Sequence, residues 1–112
     1  MKKIEAIIRP EKLEYLKDEL LKANINGITV NQVFGCGNQH GWIEYVRGSE
    51  VIMNTISKVE VKLIISDDRL EEIIELISKV ARTGEVGDGK IFVSEIVDCI
   101  RIRTGDRGEG AI

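Results

Sequence analysis

Aromatic side chains are scarce, with Phe, Tyr and Trp together making up 4% of the 112 residues. Because 43% of the chain is hydrophobic all the same, its core must be aliphatic. A domain of this length buries a modest share of its surface, so self-association would help to stabilise it. One histidine, His40, and two cysteines, Cys36 and Cys99, form no C-x-x-C pair and no His cluster. Neither a zinc motif nor a disulfide framework is suggested, and both thiols are expected to be reduced. An excess of positive charge is also missing: the formal net charge is −3, which argues against a nucleic-acid partner. No apolar run approaches membrane-spanning length. Met1-Lys-Lys-Ile-Glu-Ala alternates instead of forming a charged-then-apolar leader. The expectation is a single cytoplasmic domain over residues 1–112, with no insertion into a membrane.

Glycine is present in quantity where it matters for chemistry. Thr83-Gly-Glu-Val-Gly-Asp-Gly-Lys-Ile-Phe-Val-Ser94 sets a glycine-rich loop, about 82–90, against an apolar run that reads as a strand. Gly84, Gly87 and Gly89 allow main-chain N–H groups to converge without Cβ obstruction, and Lys90 adds a positive charge. That combination suits phosphate. It is not a P-loop, because Ile91 stands where a metal-holding hydroxyl is needed and a strand follows instead of a helix. Further on, Arg101-Ile-Arg-Thr-Gly105 forms a basic segment. Read as extended chain, it puts two guanidinium groups on one side, and with Lys90 they would suit a polyphosphate. The plainer reading of both motifs is a hairpin loop followed by a solvated basic edge strand.

Hydrophobic periodicity divides the chain into two similar halves. Ile4, Ala6 and Ile8 alternate on one face of a strand that stops at Pro10. Leu13, Leu16, Leu20 and Ala23 follow at helical spacing, and Asn24 to Gly27 ends that helix. Ile28 to Phe34 alternates again, with Ile28, Val30, Gln32 and Phe34 on one side. In the second half, Val59, Val61, Leu63 and Ile65 share a strand face, and Ser66-Asp67-Asp68 offers capping oxygens. Leu70, Ile73, Ile74, Ile77, Val80 and Ala81 form a helical stripe before a last strand, Ile91 to Val97. The β-α-β-β-α-β order predicts an α+β, ferredoxin-like sheet with both helices on one face. The other face would carry Ile7, Val33 and Ile64 among Lys3, Glu5, Asn31 and Glu60, a mixed surface that favours a homo-oligomer.

Residues 36–57 are too many for an ordinary connection in a small domain. One reading is a β-hairpin turning at Arg47-Gly48-Ser49; the other is a binding loop whose Trp42, Tyr45, Val51, Ile52 and Met53 meet a partner.

Taken together, Thr83-Gly84, Gly87-Asp-Gly-Lys-Ile-Phe-Val93, Arg101-Ile-Arg-Thr-Gly105, Gly35-Cys-Gly-Asn-Gln-His-Gly41 and Arg47-Gly-Ser-Glu50 resemble the PII family of nitrogen-regulatory signal proteins. The resemblance covers nearly the whole chain. It implies a homotrimer with ATP or ADP in the clefts between subunits, contacted by Thr29, Gly35, Gly37, Asn38, Gly87, Asp88, Gly89, Lys90, Arg101 and Arg103. It implies 2-oxoglutarate at Gln39, Gly41 and Lys58, with Gln39 also helping to hold Mg2+. An amide oxygen is a hard neutral ligand suited to that ion, and an ammonium matches a dicarboxylate. Taken by themselves, Gln39 reads as a solvated loop residue and Lys58 as an edge-strand lysine. The long loop, with Trp42, Tyr45, Arg47, Ser49 and Val51, would engage targets: an ammonium channel, glutamine synthetase or its modifying enzymes, or nitrogenase.

Three positions depart from the common pattern of the resembled family. Val51 replaces the tyrosine that many members carry for uridylylation, and Asn38 stands where arginine is frequent. Ser49 matches a position phosphorylated in some relatives. These features leave room for a branch acting directly on nitrogenase. Two other classes compete with a non-enzymatic sensor. A small ATP-consuming enzyme would need a base, for which Asp88 and His40 are the nearby candidates, though Asp88 also suits shaping a Gly-Asp-Gly turn. An RNA-binding module would need sheet aromatics, of which only Phe92 falls on a central strand.

Overall fold

In the computed structural model, residues 1–36 and 55–112 are described in full, and strands 42–46 and 49–53 by their backbone pairing alone. The main sheet contains β1 (Lys2–Ile8), β2 (Ile28–Cys36), β5 (Thr55–Ile65) and β6 (Lys90–Glu95), in the order β2-β5-β1-β6. Every neighbouring pair is antiparallel, with Ala6 opposite both Val61 and Ile91, and Thr29 opposite Lys62. Helices α1 (Leu13–Lys22) and α2 (Leu70–Ala81) each follow a single 3-10 turn, Pro10–Lys12 and Asp67–Arg69. This is the ferredoxin-like α+β arrangement that the periodicity predicts.

The apolar stripes meet as expected. Ile4, Ala6, Ile8, Val59, Val61, Leu63 and Ile65 point from the sheet onto Leu16, Leu20, Ile73 and Ile77, and all are buried. Leu13, Ala23, Leu70, Ile74 and Val80 pack around the margin. Asn24 turns the chain out of α1 with a φ of 63°, a conformation that asparagine tolerates better than most residues.

Some details differ from the sequence reading. The last strand ends at Glu95, so Ile96 and Val97 lie outside it, and Val97 is fully in solvent. Phe34, expected on the apolar side of its strand, lies on edge strand β2 and is 76% exposed. Ser66 makes no capping hydrogen bond. Its neighbour Asp67 instead pairs with the amino group of Met1 at 2.9 Å and with Lys2 at 3.2 Å. The helix start is thus held by charges from β1.

On the opposite face, Ile7, Val33 and Ile64 are half-buried among charged residues. Lys3 pairs with Glu5 at 2.9 Å and Lys62 with Glu60 at 3.0 Å. Glu5 lies directly across from Lys62, so charge of both signs alternates over this surface.

Within the long insertion, β3 (Trp42–Val46) pairs antiparallel with β4 (Ser49–Met53), which gives the hairpin reading its backbone. Arg47 and Gly48 lie outside the described residues, as do the side chains of the pairing strands. The stem is long, because β2 and β5 stay paired out to Cys36 and Thr55.

Candidate functional site

The glycine loop joins α2 to β6, at the end of the sheet where β1 finishes. Gly84, Gly87 and Gly89 have φ of 91°, 104° and 100°, a region where only glycine is unstrained. At Gly89 the constraint is also steric: a Cβ would stand 1.7 Å from the carbonyl oxygen of Ile7.

Asp88 closes the loop on itself. Its carboxylate accepts hydrogen bonds from the amides of Thr83 (2.8 Å) and Gly84 (2.9 Å) and from the Thr83 hydroxyl. Those bonds, those of Thr83 foremost, hold the Asp88 carboxyl well below the usual carboxylate range, with Arg9 adding to the effect. Such an acid is a poor proton acceptor at neutral pH. The turn-shaping role expected for Asp88 is the one its bonds perform.

Two cations from the sheet grip this loop from below. Arg9, just beyond β1, donates from Nη2 to the carbonyl of Val86 at 2.8 Å and from Nε to Asp88 at 3.2 Å. Lys58, on β5, donates from Nζ to the carbonyl of Gly87. The edge-strand reading of Lys58 is corrected here: β5 is an inner strand, and Lys58 is 7% exposed. Gly35 makes room for it, since a Cβ there would come within 3.3 Å of the Lys58 stem. No carboxylate pairs with Lys58 among the described residues. An ammonium carries three donors, and one neutral carbonyl leaves most of its charge uncompensated in a place poor in water. The arrangement favours an incoming anion. Lys90, which is exposed, lines a recess of about 580 Å3 beside Asp88 and Gly89.

The basic segment is built differently. Arg101 and Arg103 were expected side by side on extended chain, but residues 102–104 form a turn. The amide of Gly105 donates to the Arg101 carbonyl at 2.7 Å, and the amide of Arg101 to the Asp106 carbonyl at 2.9 Å, with Ile100 bridging Arg107. Arg101 faces Asp106 at 3.5 Å and the Ile112 carbonyl at 3.3 Å, while Arg103 is exposed with no partner among the described residues.

This segment is anchored at the opposite end of β1, where the amide of Ile96 donates to the carbonyl of Met1. Cys99 and Ile112 share a groove of about 690 Å3 with Thr29, Lys62 and Ile64 at that end. The length of β1 separates the two anchoring points by about 20 Å. Within one chain, Gly35, Lys58 and Gly87 to Lys90 are thus gathered at one end, and Thr29 lies with the anchor of the arginine segment at the other. Gly37, Asn38, Gln39 and Gly41 lie outside the described residues, as do the side chains of Trp42, Tyr45, Arg47, Ser49 and Val51. Arg9 was missed in the sequence because nothing local marks it. Its partners are 77 and 79 positions away.

A ferredoxin-like domain with a glycine loop at one sheet end and a long paired insertion beside it is the architecture that the PII resemblance predicts. The family described as Nitrogen regulatory protein P-II matches residues 1–106. The chain is 50% identical over 112 residues to a Nitrogen regulatory protein P-II of Porphyra purpurea, covering 100% of both chains. It is 46% identical to Nitrogen regulatory protein GlnK of Escherichia coli, again over 100% of each. A Nitrogen regulatory protein P-II 1 of Methanothermobacter thermautotrophicus is 48% identical, over 100% of this chain and 97% of the relative. The chain belongs to the PII family of nitrogen regulatory proteins.

Proposed function

We propose that this chain is a non-enzymatic sensor of nitrogen, carbon and energy status, which binds ATP or ADP together with 2-oxoglutarate and signals through residues 36–57. The observation that carries the reading is Lys58, a buried cation without a carboxylate partner among the described residues, tied to the glycine loop at the root of the long insertion. An acidic ligand taken up there would sit between the loop and the insertion. Its binding free energy could then bias the insertion's conformation by the difference in affinity between conformers. Ligand at Lys58 would hold the insertion inward around Gln39, and ADP would leave it free to extend.

Adenine nucleotide would lie with its phosphates against Gly87 to Lys90. Mg2+ would be held in part by Gln39, and when bound it supplies a common centre for phosphate and acid oxygens. Because the arginine segment leaves the sheet about 20 Å from the glycine loop, a nucleotide that touches both is best served by two copies of the chain. A homotrimer with ligands in its clefts supplies them, and the mixed outer sheet face offers the surface for it. No helix among the described residues is long and apolar enough to cross a membrane. The setting proposed is cytoplasmic, and the targets are proteins of nitrogen metabolism: an ammonium channel, glutamine synthetase or its modifying enzymes, or nitrogenase.

A catalytic reading finds less support, because Asp88, the candidate base within the glycine loop, has its carboxylate engaged by Thr83, Gly84 and Arg9. Calorimetry tests the sensor. Titration with 2-oxoglutarate is expected to give strong binding with Mg-ATP present and weak binding with ADP or no nucleotide. Equal binding in all three overturns the coupling, and no heat from adenine nucleotides at millimolar concentration overturns the sensor.

A further inference from the structure

Two successive carbonyls of the glycine loop are each drawn to a cation on a different strand: Val86 to Arg9 of the β1 end, and Gly87 to Lys58 of β5. In a planar trans peptide the C=O and the N–H of the next residue point to opposite sides. Holding the Val86 carbonyl inward therefore turns the Gly87 amide outward, and holding the Gly87 carbonyl inward turns the Asp88 amide outward. Neither amide has a hydrogen-bond partner among the described residues. The φ of 104° at Gly87 lets the two neighbouring peptides point the same way, the geometry of an anion-binding nest.

We propose that Arg9 is a positioning residue for this nest: without touching the ligand, it presents the Gly87 and Asp88 amides together to a phosphate group. The proposal rests on the nucleotide reading above and assigns the nest its support. Arg9 suits the task because its guanidinium is a planar fork. One arm fixes the loop backbone at Val86 and the other fixes the Asp88 carboxylate, so the turn cannot rotate about either tie alone. Extended backbone before Pro10, with φ of −64° and ψ of 138°, fixes the root of the side chain.

The test compares the wild-type chain with Arg9→Gln and Arg9→Lys, using inorganic tripolyphosphate as probe. Calorimetry gives the affinity, and the amide resonances of Gly87 and Asp88 report the donors directly. In Arg9→Gln the affinity is expected to fall about ten-fold, on the scale of one charge-assisted hydrogen bond. The two amide resonances, which move on binding in the wild type, are expected to stay nearly still. Arg9→Lys should fall between, because an ammonium lacks the fork, and it decides the matter if Arg9→Gln does not fold. Wild-type affinity and wild-type resonance shifts in the folded variants overturn the positioning role while leaving the nucleotide reading intact. A wild type that ignores both tripolyphosphate and ATP overturns both.

Discussion

The glycine loop and the basic segment both look like phosphate ligands in the sequence, yet the fold treats them in opposite ways. The loop is bolted to the sheet by Arg9 and Lys58 and closed by Asp88. The segment is a small hairpin tip that pairs with its own acid and leaves Arg103 in solvent. One is shaped by the sheet beneath it; the other is shaped by its own turn and keeps one guanidinium exposed.

The largest expected effect breaks the rigid half. Gly89→Ala sets a methyl 1.7 Å from the backbone oxygen of Ile7 and also forces a φ of 100° on alanine. Backbone oxygen cannot swing aside as a side chain does, so β1 and β6 must part. The variant should be largely unfolded, or folded with the loop displaced and nucleotide binding gone. Gly105→Ala is the control from the other region, with φ of 77° and nothing within 4 Å. It should cost only about 1 kcal/mol of backbone strain. Denaturant midpoints of the two variants measure the contrast, and equal losses would show that the glycine loop is no more constrained than the hairpin.

The next prediction concerns whether the two halves of a site come from different copies. Lys90→Ala and Arg103→Ala should each weaken ATP binding. Mixed after dissociation and reassembly, they should regain a fraction of wild-type sites, since Lys90 of one chain can then face Arg103 of another. Calorimetric stoichiometry detects those sites. Their absence in a mixture shown to contain hetero-oligomers would place both residues in one chain's site.

How much of this was legible follows from the range over which each signal acts. The buried positions of β1, β5, α1 and α2 were readable because alternation and helical spacing are local consequences of backbone geometry. Lys58 was misread because strand order is not a local property: a lysine in an alternating strand looks solvated until the sheet places β5 inside. The extended reading of Arg101 to Arg103 failed for a nearer reason. Thr104, Gly105 and Asp106 are turn residues, and the Thr104 hydroxyl binds the Asp106 carboxylate at 2.8 Å. That signal was present and was outweighed by the spacing of two arginines. Arg9 had no signal beyond preceding a proline.

Acid separates the regions again, with a smaller effect. In the folded state the hydrogen bonds from Thr83 hold the pKa of Asp88 below its ordinary value of about 3.9. The stability it contributes is therefore complete above that value and is lost as pH falls toward the folded one. Asp88→Asn keeps one acceptor oxygen where the carboxylate offers two to Thr83, Gly84 and Arg9. From about pH 6 to about pH 3 the wild type should lose more melting temperature than Asp88→Asn does. Asp67 and Asp98 are depressed too, so the difference between the curves, not either curve, reports Asp88. Parallel curves would mean that the loop is not closed by its acid in solution.

The smallest effect is expected at a residue that the sequence favoured and the fold ignores. Ser66 stands where a cap belongs, but its hydroxyl makes no hydrogen bond to the start of α2, where Asp67 is engaged by Met1 and Lys2 instead. Ser66→Ala should therefore change stability by less than about 0.5 kcal/mol, against the ~1 kcal/mol lost when a bonded cap is removed. Urea denaturation resolves the two values. A loss at the larger value would return the capping role to Ser66, and would mean that the charges of β1 hold the helix less firmly than the cations under the glycine loop hold theirs.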